Sequence, residues 1–253
     1  VRTEHAQPAI YLVGWIALQL LREQAPSISF EATAGLSLGE FTALAAADAI
    51  GFEDGLRVVR RRGELMQEAC DSSSGGMAAI VGLDEEAVRG VCEQAGVSLA
   101  NLNCPGQIVV SGDADKMDSA CEAAKAAGAK RAIPLPVAGA YHSPLMQPAQ
   151  AGLAEALASV ELREPSVPVY SNVTGKAHAG AASIAGTMVD QVTSSVRWEA
   201  CIRAMIADGV TRFIELGPGT ALTGFMRRID RGLEVLNVAD NDSLAKSAEA
   251  LNA

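Results

Sequence analysis

The sequence predicts an α/β fold with a mostly parallel sheet and one smaller inserted unit. Three observations carry that reading. Short runs rich in β-formers alternate with longer runs rich in alanine and leucine, as in units whose strands pair in parallel. Over residues 75–137 the order changes to β-α-β-β-α-β. The chain has 253 residues, 49% hydrophobic and 4% aromatic, enough for one large domain with an insert and a core of Ala, Val, Leu and Ile.

Residues 8–23 read as a helix. It is apolar from Ala9 to Leu21, short of the roughly 18 residues that a membrane span needs. Gln24-Ala25-Pro26 forms a loop after it. Residues 28–34 read as a strand, 35–39 as a turn and 38–50 as a helix. A second helix covers 53–70, with Glu53 and Asp54 in the first turn, where the helix dipole favours acids. Residues 71–76 have the composition of a linker. Strand 77–82, helix 84–95, strands 98–103 and 107–111, helix 114–127 and strand 130–137 then form a ferredoxin-like unit. The chain returns through helix 145–159, strand 167–171, helices 181–193 and 197–208, strand 211–216, helix 220–229 and strand 235–238. The expected division is 1–74 with 138–253 for the larger, α/β-hydrolase-like part, and 75–137 for the smaller.

The chemistry starts at Gly35-Leu36-Ser37-Leu38-Gly39, a G-x-S-x-G between strand and helix. A sharp strand-to-helix turn lifts a serine hydroxyl out of the sheet, and glycines tolerate the tight backbone. The following helix aims N–H groups and its positive end at the same place, which suits a developing oxyanion. Taken alone, the pattern also fits a small-residue turn in a chain with 24 glycines.

Composition excludes several classes. A net charge of −10 argues against a nucleic-acid binder, which needs a basic face. Five dispersed cysteines without a C-x-x-C read as free thiols of a reducing cytoplasm. No basic stretch with a cleavage site opens these residues, so export is not expected. Three unclustered histidines offer no metal site.

Three further segments are Arg62-Gly63-Glu64-Leu65-Met66-Gln67, Gly139-Ala140-Tyr141-His142-Ser143-Pro144-Leu145-Met146 and Glu215-Leu216-Gly217-Pro218-Gly219. In this order and spacing, the chain resembles the malonyl-CoA:acyl-carrier-protein transacylase family, which includes acyltransferase domains of fatty acid and polyketide synthesis. The resemblance covers nearly the whole chain. It also includes Asn101 to Gln107, Ser171 to Gly175 and Val196-Arg197-Trp198.

The resemblance implies malonyl-CoA and an acyl carrier protein as partners, with no cofactor beyond the thioester itself. It implies Ser37 as nucleophile and His142 as its base. His5 lies near the terminus and His178 in a Gly/Ala loop, which leaves His142 as the candidate. The backbone carbonyl of Gln191 is implied as the group that orients His142, and the Leu38 N–H as an oxyanion donor. Arg62 is implied as a bidentate clamp on the malonyl carboxylate, with Met66, Tyr141, Asn103 and Asn172 around the substrate. An aromatic at Tyr141 goes with malonyl, since a ring there crowds an α-methyl group; methylmalonyl stays open. Both substrates are anionic, so attraction must be local: Arg60-Arg61-Arg62, Lys130-Arg131, and Arg227-Arg228 with Arg231 are candidates.

Two departures stand out. Leu36 replaces the histidine that usually precedes the family's nucleophile. The family's opening strand and G-Q-G-S-Q loop have no counterpart here. The resemblance implies that this strand and a second oxyanion donor come from outside this sequence, as a further segment or a partner. A serine ester or thioester hydrolase, and a catalytically inert carrier-protein docking module, remain the alternatives.

Overall fold

The computed structural model describes residues 2–137 and 139–252. The first helix, α1 (Thr3–Gln24), begins before the expected residue 8. Pro8 marks a local break in the sequence, but tertiary contacts extend the helix past it: the Thr3 N–H donates to Gln67 Oε1 at 3.0 Å. Strand β1 (Thr33–Ala34) is only two residues long, against an expected 28–34. It pairs in parallel with β6 (Val169–Tyr170). Helix α2 (Gly39–Ala46) starts immediately after the serine turn and stops before Asp48, whose φ of 58° is left-handed. Helix α3 (Phe52–Asp71) follows.

The smaller unit contains β2 (Gly75–Val81), α4 (Glu85–Ala95), β3 (Ser98–Cys104), β4 (Gln107–Asp113), α5 (Met117–Ala126) and β5 (Arg131–Pro134). Its four strands lie in the order β3-β4-β2-β5, every pair antiparallel. Val88, Val91, Ala120 and Ala124 pack the two helices against Ile80, Ile108 and Val110 of the sheet, with a core of their own.

The chain continues through α6 (Pro148–Ala158), β6, α7 (Ala181–Asp190), α8 (Trp198–Ala207), β7 (Arg212–Leu216), α9 (Ala221–Ile229) and β8 (Glu234–Val238). β7 and β8 pair in parallel. The parallel strands thus form two separate pairs instead of one sheet. Residues 28–32 and β7 line a common cavity, and no described strand pairs with the backbone between them, so 28–32 cannot form a ladder. A last helix, α10 (Asn241–Asn252), was not expected. Its signal was present: Asp240 Oδ1 accepts the Ser243 N–H at 2.8 Å, a side-chain cap. Leu244 then joins Ala17, Leu21 and Val238 in a small cluster.

The main core lies between α1, α2, α3, α6 and α7, with Tyr11, Phe41, Leu44, Leu153, Ile184 and Met188 at its centre. Helix α3 packs closely on α1 at Gly55, where a Cβ would lie 2.2 Å from the Tyr11 hydroxyl. Tyr11 is itself stacked on Phe52, so it has little room to yield. Gly55→Ala should therefore cost about 1–3 kcal/mol in urea denaturation. Tyr11→Phe in the same chain, which deletes the nearest atom, should recover part of that loss.

Candidate active site

Ser37 occupies the turn between β1 and α2 with φ 52°, a left-handed conformation. Such a residue carries strain of about 1–3 kcal/mol. Hydrogen bonds hold it there. The Ser37 N–H donates to Asn172 Oδ1 at 2.6 Å, and Asn172 Nδ2 donates to the Gly35 carbonyl at 2.8 Å. Position 35 has to be glycine: a Cβ would stand 2.0 Å from the Gly39 carbonyl group. The Leu38 N–H donates to no acceptor among the described residues and borders the cavity, as an oxyanion donor would.

His142 also has a left-handed backbone, φ 59°. Ser143 shapes its turn: the hydroxyl donates to the Ala140 carbonyl at 2.6 Å and accepts the Leu145 N–H. His142 Nδ1 donates to the Gln191 carbonyl at 2.9 Å. Gln191 caps the C-terminus of α7, where carbonyls lack the usual helical partner, so this oxygen accepts from His142 beside a long 3.4 Å bond from the Ser194 N–H. That bond fixes the proton on Nδ1 and leaves the Nε2 lone pair to accept from Ser37 Oγ at 2.9 Å. Burial pushes the imidazole pKa down to about 4, and the Arg62 cation adds to the effect; the Gln191 and Ser194 backbone partly opposes both. The ring is therefore a neutral base at physiological pH.

Arg62 lies on the apolar face of α3, in register with Val58, Leu65, Met66 and Ala69. Its guanidinium is 1% exposed. Nη1 donates to Gln7 Oε1 at 2.5 Å, and Nη2 donates to Gln191 Oε1 at 2.9 Å and Ser37 Oγ at 3.1 Å. The Phe41 ring lies beneath it, 5.6 Å from the guanidinium carbon. Among the described residues Nε has no partner, and no carboxylate makes a salt bridge to Arg62. Burial lowers its pKa to about 10, with Glu40 and Tyr141 acting in the opposite direction, so it stays a cation at neutral pH.

Ser37, Leu38, Arg62, Met66, Tyr141 and His142 all border one cavity of about 870 Å³. Tyr141 is partly buried, and burial raises its phenol pKa to about 12. Two expected substrate contacts lie elsewhere. Asn172 is wholly buried beneath the serine turn and braces it, without lining the cavity. Asn103 is buried in β3 away from the cavity; Asn101, two residues earlier on the strand, lines it instead. Leu36, in place of the family's histidine, packs into the cluster of Trp198 and Phe213.

Three site-forming residues escaped the sequence reading. Gln7 holds Arg62, and its only signal was the Gln7-Pro8-Ala9 segment. Glu40 follows the G-x-S-x-G directly and is fully buried. His178, read as part of a polar loop, has a side chain 1% exposed against Glu40. The basic runs also divide. Arg60 and Arg61 are exposed and paired with Glu64 and Glu68, so they offer little free charge. Among the described residues no group of three or more His, Cys, Asp or Glu is placed to hold a metal ion, and no helix is long and apolar enough to cross a membrane.

A serine and a neutral histidine in contact at a cavity, on an α/β scaffold, are the arrangement of enzymes that work through a serine ester. The chain belongs to the acyl transferase domain family, which matches residues 1–246. It is 43% identical over 254 residues to the malonyl CoA-acyl carrier protein transacylase of Bacillus subtilis, covering 98% of this chain and 80% of that protein. The crystal structure of the malonyl CoA-acyl carrier protein transacylase from Clostridium perfringens superimposes with a TM-score of 0.95 at 38% identity, over 99% of this chain and 80% of that one. A malonyl-transacylase solved in complex with its type II PKS acyl-carrier protein gives a TM-score of 0.94 at 37% identity, over 98% of this chain and 82% of that one.

The histidine makes one pH prediction. If the neutral ring takes the Ser37 proton, the single-turnover rate of serine acylation by a thioester should stay level from pH 8 to about 5. It should fall only as pH approaches about 4, well below the ordinary histidine value. In Arg62→Ala the midpoint should move up, because the nearby cation is one cause of the depression. Rapid-quench kinetics across pH would check both.

Proposed function

We propose that this chain transfers a malonyl group from malonyl-CoA to the phosphopantetheine thiol of an acyl carrier protein, through a malonyl ester on Ser37. The observation that carries the reading is Arg62: a buried cation, without a carboxylate partner, 3.1 Å from the nucleophilic oxygen. A neutral acyl chain has no use for it. A short diacid attached at Ser37 places its free carboxylate against it. A planar guanidinium with spare N–H groups binds both carboxylate oxygens, and an acetyl group leaves those groups unpaired. The relatives named as malonyl CoA-acyl carrier protein transacylases, and the one solved with its carrier, support the same reading.

The steps follow from the geometry. Ser37 Oγ gives its proton to His142 Nε2 and attacks the thioester carbonyl. The Gln191 carbonyl stabilises the imidazolium through Nδ1–H, and the Leu38 N–H faces the developing oxyanion. The tetrahedral intermediate collapses, the C–S bond breaks, and His142 returns the proton to the leaving coenzyme A thiol. The carrier thiol then gives its proton to His142 and attacks the ester carbonyl. Its collapse breaks the C–O bond, and Ser37 recovers the proton. Acyl transfer between thiols balances without a redox partner, so the thioester is the only cofactor-bearing species in the scheme. Met66 and Tyr141 line the acyl pocket, and Tyr141 favours malonyl over its α-methyl homologue.

The domain reading belongs to the same proposal. Residues 1–74 and 138–253 form an α/β-hydrolase-like catalytic part, and 75–137 a ferredoxin-like insert. The separate core and antiparallel order of the insert support it. The expected return at 138 falls on Ala138, which like Val1 and Ala253 lies outside the described residues.

Brief exposure to malonyl-CoA should add one malonyl group to the intact mass, and Ser37→Ala should remove that adduct. An unmodified, folded wild-type chain would overturn the reading. Arg62→Ala should lower kcat/KM for malonyl-CoA by about 10²-fold or more while acetyl-CoA turnover holds or rises. A simple ester hydrolase would be indifferent to that change.

A further inference from the structure

Beneath the nucleophile lies a buried pair that the scheme above does not use. Glu40 sits in the first turn of α2, three residues after Ser37, with no exposed surface. Its Oε1 accepts from His178 Nε2 at 2.9 Å. Its Oε2 accepts the Gln191 side-chain Nε2 at 2.7 Å and the Asn172 N–H at 3.1 Å. Gln191 is thus used twice. Its backbone carbonyl holds His142, and its side-chain amide joins Glu40 to Arg62.

We propose that Glu40 is a positioning residue for acyl-group selection: held by His178, it fixes the side-chain amide of Gln191, and that amide aims Arg62 at the acyl pocket. The inference rests on Arg62 being the carboxylate clamp. An amide has two unlike ends, and a carboxylate only accepts. Glu40 therefore takes the NH₂ end of Gln191, whose second hydrogen goes to the Ser37 carbonyl at 3.0 Å. The oxygen end must then face Arg62, which only donates, and it does so at 2.9 Å. Reversing the amide would set oxygen against carboxylate and NH₂ against guanidinium. Glu40 thus joins the Ser37 carbonyl and the Arg62 donors in fixing one orientation, and it is the charged member that does so without touching the substrate. It also supplies the negative charge that favours the Arg62 cation, while leaving that cation free of a direct ion pair. A carboxylate bonded to the guanidinium itself would compete with the substrate; one acting through a neutral amide orients the clamp and leaves it open.

Replacing Glu40 by glutamine keeps the shape but removes the charge and one of the two acceptors: the remaining oxygen serves either the His178 N–H or the Gln191 amide with the Asn172 N–H, and the NH₂ end is set against the other donor. Neutral acyl groups do not use Arg62, so they should lose less than malonyl does. The test compares kcat/KM for malonyl-CoA and acetyl-CoA in the full chain. In Glu40→Gln the malonyl-to-acetyl ratio should fall roughly tenfold, the scale of a weakened hydrogen bond to a charged group. His178→Leu should lower the ratio in the same direction, and His178→Gln, which keeps an N–H donor, should restore it. If Glu40→Gln fails to fold, the His178 pair decides alone. Equal losses on both substrates, or an unchanged ratio, would overturn the proposal, because a purely structural role lowers both together. Arg62→Ala, run alongside, separates the two readings. A ratio that survives Arg62→Ala removes the clamp itself. A ratio that collapses there but survives Glu40→Gln and His178→Leu removes only the role of Glu40.

Discussion

The rest of the site is arranged around one buried charge. Placing a guanidinium at 1% exposure is costly unless its donors are met and its charge is balanced. Here Nη1 and Nη2 meet neutral oxygens from Gln7, Gln191 and Ser37, and Phe41 supplies a ring face below. None of these is a carboxylate. The site is therefore polar and positively charged where the free end of a diacid would lie. Burial first, and the same cation second, depress the basicity of His142 and keep the ring neutral. One residue thereby influences both selectivity and the protonation state of the base.

Ser37 and His142, the pair in contact at the cavity, are presented by similar means. Ser37 and His142 both have left-handed backbones, and each is tied down by side-chain bonds to main chain: Asn172 to the serine turn, Ser143 to the histidine turn. Local strain of this kind persists only where neighbours over-determine it. The neighbours come from distant parts of the chain, with Asn172 lying 135 residues from Ser37 and Gln191 lying 49 from His142. Alignment of the pair thus depends on how α2, α7 and the loop after β6 pack.

Much of this was legible in the sequence, and for physical reasons. The resemblance pointed to Arg62 among three consecutive arginines through the Arg62-Gly63-Glu64-Leu65-Met66-Gln67 segment, and in helix α3 it is the one that faces the core with Val58, Leu65 and Met66. The order β-α-β-β-α-β of residues 75–137 is a local pattern, and the strands pair as such a unit does. What stayed hidden depends on contacts between remote residues. Gln7 looks like any helix glutamine until α1 packs on α3. His178 looked like a solvated loop residue, and only its approach to Glu40 buries it. The register of β3 shifts between Leu102 and Cys104, at Asn103, so regular strand spacing could not say whether Asn101 or Asn103 would reach the cavity. Strand β1 was overestimated because β-propensity cannot see whether a partner backbone lies alongside. Helix α10 was missed although its cap at Asp240 was readable.

The most direct test of the central claim is a crystal structure of the chain trapped as its malonyl-serine ester. The account predicts the ester on Ser37 Oγ, with both oxygens of the malonyl carboxylate within hydrogen-bond distance of Arg62 and the guanidinium still held by Gln7 and Gln191. An ester whose carboxylate points to solvent, with Arg62 unengaged, would contradict it.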